Sequence, residues 1–209
     1  VGIDLSVVPG KYSVSFETTT GRRLGQTTII VTSKSFPTRR LTVDPDFVNP
    51  PPAAMDRVTR EAAELAELWK APAAERLWDG AFVAPVAETA NSSFGSRSIF
   101  NGQARTPHGG ADFPSPEGTP IHAPSGGRIV LARDLYFTGN TIVIDHGLGL
   151  FSLLAHLSSF AVHEGDRIDA GQIIGKVGAT GRVTGPHLHW AVRAADARVD
   201  PLSVLAILR

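Results

Sequence analysis

The stretch Thr141-Ile142-Val143-Ile144-Asp145-His146, which Gly147 follows, decides the fold class of this chain. A short apolar run that ends at a glycine is typical of a buried strand. Further apolar or alternating runs lie on either side of it, at residues 126–130 and 151–157. This pattern predicts a mainly β domain with mostly antiparallel strands, which we expect to cover residues 76–209.

Two polar motifs flank these runs. His108-Gly109-Gly110-Ala111-Asp112 precedes them, and Gly185-Pro186-His187-Leu188-His189-Trp190 follows them. Side chains two apart on a strand point to one face, so His187 and His189 would lie side by side. Each motif alone has an ordinary alternative, as a loop histidine near a turn or as polar residues that face solvent. Together, and beside glycines and prolines that let a loop approach an ion, they favour a metal site.

The residue types in these motifs indicate zinc chemistry. Two neutral imidazoles and one carboxylate supply three protein ligands, leave a fourth position for water and lower the pKa of that water to roughly 7. The chain has no cysteine, which excludes disulfides, thiol catalysis and thiolate ligands. We therefore expect one Zn²⁺ per chain and a hydrolytic nucleophile at neutral pH.

At these residues the chain resembles the lysostaphin-type, LytM-like zinc endopeptidases of bacterial cell walls. The signatures of that family are His-x-x-x-Asp, a later His in an apolar-x-His-Leu run, and Gly-Pro-His-Leu-His, and the similarity runs from about residue 94 to 201. It implies a LytM-type, barrel-sandwich catalytic domain. It also implies three zinc ligands and two catalytic histidines beside the metal-bound water, namely His108, Asp112 and His189 for zinc, and His156 and His187 for catalysis.

The resemblance implies a zinc-dependent endopeptidase that hydrolyses peptide bonds in peptidoglycan stem peptides or cross-links. The alternative is a catalytically silent relative that binds peptidoglycan or activates another wall hydrolase. A third hypothesis is a phosphoryl carrier, because the glycine-rich run at 165–175 resembles the hairpin of barrel-sandwich carriers; it does not require Asp112. A lipoyl-type carrier needs a lysine on a turn, whereas Lys176 lies in a strand-like run.

One residue departs from the family's pattern. The family usually has a tyrosine two residues before the histidine of its middle motif, where this chain has Leu154. A phenol there could donate to the developing oxyanion. Without it, either His156 and His187 carry the stabilisation, or the enzyme is slower than its relatives, or another donor enters from a loop. Asn91 or Asn101 could occupy the fourth zinc position in a latent form.

Three other histidines have ordinary interpretations. His122 lies where an alternating strand turns it away from the core, and His146 closes the strand quoted above, so we expect both to be surface or structural residues. His163 precedes Glu164-Gly165-Asp166, a turn signal, and is expected to be a solvated loop residue.

The N-terminal residues 1–48 predict a small β-sandwich-like module. Tyr12, Val14 and Phe16 alternate, 29–31 is apolar, and Leu41 alternates with Val43. A full sandwich needs about 100 residues, so we expect this module to be truncated. It could position the enzyme on the wall or regulate it.

Residues 49–75 predict a connector. Pro50-Pro51-Pro52 forces an extended entry, and helical spacing of apolar residues predicts one amphipathic helix over 53–70, which would act as a rigid spacer.

The composition excludes several partners. The 20 basic and 20 acidic residues balance, so the charge indicates neither a nucleic-acid binder nor a membrane-surface binder. No run reaches the ~20 apolar residues of a membrane span. The chain begins with Val1 and not Met, so we expect that an N-terminal segment has been removed, and with it any signal peptide or membrane anchor. The resemblance to the cell-wall endopeptidases implies a periplasmic or secreted protein of the cell envelope.

Overall fold

The alternating residues near the N-terminus form a two-stranded hairpin. The computed structural model of the chain describes residues 1–42, 49–91 and 94–208. Strands β1 (Gly10–Glu17) and β2 (Arg23–Val31) pair antiparallel. The next strand, β3 (Thr38–Leu41), leaves the hairpin and pairs in parallel with β4 (Arg97–Phe100), which pairs antiparallel with β5 (Gln103–Ala104).

The sandwich-like description of the N-terminal module stays a prediction. The described strands of residues 1–42 form one hairpin and one strand of another sheet. Strand β3 finds its partner beyond the helix, in the segment that leads into the second half. The alternation predicted through Val43, and the boundary at residue 48, lie outside the described residues. The remaining bounds of the predicted domains stay a prediction.

One amphipathic helix joins the two halves, as the spacing predicts. Helix α1 (Met55–Trp69) follows a 3-10 turn at Pro52–Ala54, where proline can occupy the first helical positions without losing a hydrogen bond. Three side chains on its apolar stripe, those of Leu65, Leu68 and Trp69, pack against the large sheet. The helix is therefore docked on the second domain and is not a free spacer.

The apolar runs of the second half form one antiparallel sheet of nine strands, which confirms the predicted fold class. Its order is β11-β8-β9-β10-β12-β7, and β13 pairs with β10, β14 and β6. The strands are β6 (Ala111–Phe113), β7 (Pro120–His122), β8 (Gly127–Leu135), β9 (Gly139–Gly147), β10 (Leu150–Phe160), β11 (Arg167–Ile168), β12 (Ile173–Val177), β13 (Leu188–Ala194) and β14 (Ala197–Val199).

The centre of strand β9, residues 142–144, is apolar without interruption because both of its faces are covered. Ile142 and Ile144 point into the main core, which also contains the fully buried Trp190. Val143 points to the opposite face and packs with Phe151 under helix α1. Alternate side chains of a strand face opposite sides, so a helix on one side and a core on the other require an unbroken apolar run.

Strand β10 changes its partner midway along one edge, so the sheet forks there, and the candidate functional site lies at this fork. On one edge it pairs with β9 along most of its length. On the other edge, residues Leu150–Ala155 pair with β13, whereas Leu157–Phe160 pair with β12. The sheet splits at His156, so the backbone there is free to turn its side chain out of the core.

The chain ends meet the same edge of the sheet. The Asp4 carboxylate accepts hydrogen bonds at 3.0 Å from the backbone N–H and the Nε–H of Arg198, which lies on β14. Helix α2 (Pro201–Ile207) follows β14 and is capped by the Asp200 side chain, which accepts from Leu202 N–H. Neither described helix combines the length and the hydropathy needed to cross a bilayer.

Candidate metal centre and active-site groove

The strand register brings two of the predicted ligands together. Asp112 on β6 is directly opposite His189 on β13. Gly110 permits this close approach, because a Cβ at that position would lie 2.3 Å from the Trp190 carbonyl oxygen. His108 enters from the loop before β6, where its backbone N–H donates to Ser96 O at 2.8 Å.

Three donor atoms of these residues lie in mutual contact. Asp112 Oδ1 is 3.0 Å from His108 Nε2 and 2.8 Å from His189 Nδ1, and the two nitrogens are 3.1 Å apart. Hydrogen bonds cannot satisfy all three contacts. If both nitrogens carry a proton, the two N–H donors face each other across the contact between the rings. If one nitrogen carries none, its lone pair faces a lone pair of the carboxylate oxygen, with no proton between them. A cation that accepts one lone pair from each atom resolves this conflict.

The spacing and chemistry of this triangle fit a zinc ion. Tetrahedral ligands at the usual Zn–N distance are separated by about 3.3 Å, slightly more than the contacts seen here. The three side chains expose 17–20% of their surface, so the site is sheltered but reachable from solvent. His108, Asp112 and His189 could therefore hold zinc with a fourth position open to the groove.

The electrostatics of the cluster keep it in the form that binds metal. Although burial alone would raise the pKa of Asp112, hydrogen bonds with His108 and His189 hold the pKa of that carboxyl well below its usual range. Burial lowers the pKa of His189. An ionised carboxylate and a neutral imidazole are the protonation states that metal ligands require.

His156 lies at the fork of the sheet in a backbone conformation that is uncommon for a side chain of this size. Its φ is +67°, in the left-handed region, and the pairing of β10 with β9 shifts between Leu154 and Leu157. Its backbone N–H donates to Thr138 O, and its Nδ1–H donates to Thr180 O at 2.9 Å. A carbonyl oxygen can only accept, so Nδ1 carries the proton and the Nε2 lone pair faces the groove.

His187 repeats the same arrangement. Its Nδ1–H donates to Gly185 O at 2.9 Å, so the neutral ring presents the Nε2 lone pair, and Nε2 lies 4.0 Å from Asp112 Oδ1. The ring centroids of His156 and His187 are 4.8 Å apart. Burial, reinforced by the charge of neighbouring His189, lowers the pKa of His156 to about 4. The imidazole is therefore neutral at pH 7 and can accept a proton.

The Leu154 side chain is fully buried in the main core, and its strand neighbours are Ile142 and Trp190. The pairing of β10 with β9 shifts between Leu154 and Leu157, and Leu154 is not among the described residues that line the groove. How this leucine affects oxyanion stabilisation stays a prediction.

The other histidines have separate environments. His146 is fully buried: its Nδ1–H donates to Gly126 O at 2.7 Å, and its Nε2 accepts from Ser152 Oγ at 2.9 Å. The imidazole of His163 is 93% exposed, and His122 lies partly buried on β7. These three lie outside the groove lining.

The two candidate asparagines separate in the structure. Asn91 lines the groove, and its backbone N–H donates to Asp112 O at 2.9 Å. Asn101 lies in the turn between β4 and β5, away from the groove lining. That either side chain takes the fourth zinc position stays a prediction.

Sequence reasoning missed the loops that build the groove, a cavity of about 490 Å³. Thr138 and Thr180 hold His156, and Arg39, Phe137 and Arg182 line the cavity. One signal was available, since each of these threonines precedes a glycine with positive φ, a turn pattern. The groove arginines carry no such signal.

Fold and site together define a β protein with a cluster of two imidazoles and a carboxylate that could hold a metal ion. Residues 106–201 match peptidase family M23. The crystal structure of a putative peptidase M23 from Pseudomonas aeruginosa superposes with a TM-score of 0.79 at 36% sequence identity, covering 98% of this chain and 77% of that one. The chain belongs to peptidase family M23, which confirms the resemblance found in the sequence.

Other relatives match a smaller share of this chain. The peptidoglycan DD-endopeptidase ShyA of Vibrio cholerae is 45% identical over 84 residues, 40% of this chain and 20% of that protein. A zinc-containing peptidase from Vibrio cholerae is 33% identical in its crystal structure, with a TM-score of 0.55 over 60% of this chain and 39% of that one. This chain spans about a fifth of the length of the curated relatives that it matches first.

Proposed function

We propose that this protein is a zinc-dependent endopeptidase that hydrolyses peptide bonds in peptidoglycan stem peptides or cross-links, in the cell envelope. The observation that carries the proposal is the triangle of donor atoms from His108, Asp112 and His189, with two unprotonated Nε2 atoms beside it. The relatives named above as a DD-endopeptidase and a zinc-containing peptidase support the choice of substrate and metal.

Three residues would hold the metal, one ion per chain. His108 and His189 present nitrogen atoms and Asp112 an oxygen atom, the ligand types that zinc takes in open hydrolytic sites. When bound there, zinc polarises a carbonyl group and lowers the pKa of a water molecule. Register fixes Asp112 and His189 rigidly, because both lie on paired strands.

The remaining two histidines would move protons. The Nε2 atoms of His156 and His187 face the groove as bases, and each is oriented by a backbone carbonyl that binds its Nδ1–H. One imidazole takes a proton from the attacking water, and the resulting imidazolium delivers it to the leaving amine. The Nε2–H of an imidazolium can also donate to the oxyanion that forms on the scissile carbonyl. Two neighbouring imidazoles can therefore supply both proton transfer and oxyanion stabilisation without a tyrosine.

Product analysis tests the reaction type. The zinc-supplemented protein is incubated with a purified cross-linked muropeptide dimer in water enriched with ¹⁸O. Peptide hydrolysis yields two fragments whose masses sum to that of the dimer plus one water, with one ¹⁸O in the new carboxylate, and a chelator blocks their release. A His163→Ala variant, altered at an exposed imidazole outside the groove, serves as the control and keeps full activity. An intact dimer would contradict the proposal.

A further inference from the structure

One turn of the large sheet supports the backbone of two segments of the groove. This turn, residues 136–138, connects β8 to β9. Thr138 O accepts from the backbone N–H of His156 at 2.9 Å. Phe137 O accepts from the backbone N–H of Arg182, also at 2.9 Å, and both turn residues line the groove themselves. The position of this turn therefore determines where a proposed base lies and where one wall of the groove lies.

His156 depends on this support because its backbone conformation is unfavourable. Its φ of +67° lies in the left-handed region, which residues other than glycine rarely adopt. A residue keeps such a conformation only when the surrounding structure holds it there. Two hydrogen bonds do so here, one from the backbone N–H to Thr138 O and one from Nδ1–H to Thr180 O. A displacement of the turn would release the first of them.

A side chain of helix α1 holds the turn from the other side. The last residue pair of the ladder between β8 and β9 is Leu135 with Gly139, so the backbone N–H of Tyr136 lies beyond the ladder. This N–H donates to Glu61 Oε2 at 2.8 Å, across 75 positions of the chain. Hydrogen bonds to a carboxylate are roughly twice as strong as those between neutral groups. The turn is therefore tied to the helix by a strong contact.

The Glu61 carboxylate is itself fixed in place. Its side chain is 13% exposed, and its second oxygen accepts from the Nε–H of Arg57, four residues earlier on the helix. The same guanidinium donates to Asp134 Oδ2 at 2.7 Å, near the end of β8. The apolar stripe of the helix packs on the sheet below. Because its low exposure limits competition from water, the carboxylate is a well-defined acceptor for the turn.

We propose that Glu61 is a positioning residue of the active site, whose carboxylate fixes the turn at 136–138 and thereby holds His156 in the orientation that proton transfer requires. The proposal rests on the proposed function and deepens it, because it gives the connector helix a part in catalysis. Glu61 is not among the described residues that line the groove, so it acts through the turn and not on the substrate. The three candidate zinc ligands lie on other segments, namely β6, β13 and the loop before β6.

Three substitutions of this glutamate test the positioning role, with a cross-linked muropeptide dimer as substrate. Glu61→Ala removes the acceptor and should lower kcat by roughly tenfold to a hundredfold, because a small displacement of a base has a large effect on rate. KM and the zinc content should stay close to the wild-type values. Glu61→Gln keeps an oxygen acceptor and should retain most of the activity. Glu61→Asp keeps the charge but withdraws the acceptor by one methylene, and should lose more activity than Glu61→Gln.

A matched control comes from the same helix. Glu64 also pairs with the sheet, since its Oε2 lies 3.0 Å from Arg133 Nη2. Because Arg133 lies within β8 and not in the turn, Glu64→Ala should keep the wild-type kcat. An equal loss of kcat in Glu64→Ala and Glu61→Ala would overturn the proposal. So would a higher activity in Glu61→Asp than in Glu61→Gln, which would assign the effect to the charge.

Amide hydrogen exchange, measured by NMR, keeps this result distinct from the test of the reaction. In Glu61→Ala the backbone amides of His156 and Arg182, which donate to the turn, should exchange faster by about tenfold or more, the value of one hydrogen bond to a charged group. The amides of the β6–β13 ladder should keep their wild-type rates. This outcome supports the positioning role whether or not the protein cleaves peptides. Unchanged exchange at His156, or an equal acceleration throughout the sheet, refutes it even if cleavage establishes the endopeptidase.

Discussion

At the residue scale, the five predicted site residues of the groove divide by the atoms that they present. His108 and His189 place a nitrogen within 3.1 Å of Asp112 Oδ1, whereas the closest polar distance from His187 to that oxygen is 4.0 Å. His156 and His187 are instead held by backbone carbonyls. Metal binding and proton transfer should therefore be separable by substitution.

His108→Ala should lose zinc and cleavage together, because two remaining ligands do not hold the ion. His156→Ala and His187→Ala should keep zinc and lose activity by roughly 10²–10⁴-fold, the usual contribution of a general acid or base. Zinc is measured by plasma emission spectrometry after desalting, and cleavage by release of soluble fragments from peptidoglycan. If His187→Ala loses zinc as completely as His108→Ala, the division of roles is wrong.

Two adjacent glycines give a matched test of the close approach at the metal centre. A Cβ at Gly110 would meet the Trp190 carbonyl at 2.3 Å, whereas a Cβ at Gly109 has its nearest neighbour, Arg198 Cδ, at an ordinary 3.6 Å. Gly110→Ala should cost about 1–3 kcal/mol of unfolding free energy and weaken zinc binding, because β6 must move from β13. Gly109→Ala should do neither. Urea unfolding measures the stability of both variants, and zinc titration measures their affinity for the metal. Equal losses of stability and affinity in the two variants would contradict this prediction.

At the scale of elements, helix α1 is part of the sheet's packing. The Trp69 ring lies edge-on to Phe151, with centroids 5.2 Å apart. Trp69→Ala should destabilise the protein by about 3 kcal/mol in urea unfolding, monitored by far-UV circular dichroism. Met55→Ala, at the 46% exposed start of the same helix, should change stability by less than about 0.5 kcal/mol. Equal effects would indicate that the helix is only a spacer.

The sequence predicted the elements whose pattern is local. The apolar run of β9 and the 3.6-residue spacing of α1 each report the burial of their own side chains. The pairing of β3 with β4 was not predictable in this way, because a four-residue strand carries no information about a partner far along the chain. Position 154 was compared with the family's tyrosine by its spacing from His156 alone, and only the structure shows that its side chain is buried in the core.

The site was predictable to the extent that its residues form motifs. The three candidate ligands and two histidines were identified from short motifs and from the family resemblance that these motifs carry, and the structure brings all five side chains to one groove. Arg39 and Arg182 were missed because loop residues have no periodicity, and only the fold brings a β3 side chain to a groove on the large sheet. Sequence thus identified the groups that would do chemistry, and the fold was needed to find the other residues of the groove lining.

At the scale of the whole molecule, His146 links folding to pH. Burial lowers the pKa of its imidazole from 6.5 to about 4. In the unfolded chain the group takes up a proton below pH 6.5, whereas in the folded protein it does so only near pH 4. Between these values the unfolded state binds more protons, so stability is lost as pH falls, by about 3 kcal/mol from this group.

A variant isolates this contribution. His146→Asn removes the titrating group and retains an amide donor near the Gly126 carbonyl. It should be less stable than wild type at pH 7, but its unfolding free energy should fall less between pH 7 and pH 4. Denaturant unfolding of both proteins between pH 7 and pH 4 measures how steeply the unfolding free energy of each depends on pH. Parallel curves would show that His146 does not link folding to pH.

The most direct test of the central claim is a zinc titration of the metal-free protein, with bound metal and release of soluble peptidoglycan fragments measured in the same samples. Release should rise in proportion to bound zinc and reach its maximum at one ion per chain, and Asp112→Asn should bind zinc weakly and release little. Full release without metal, or one tightly bound zinc with no release at all, would contradict the account.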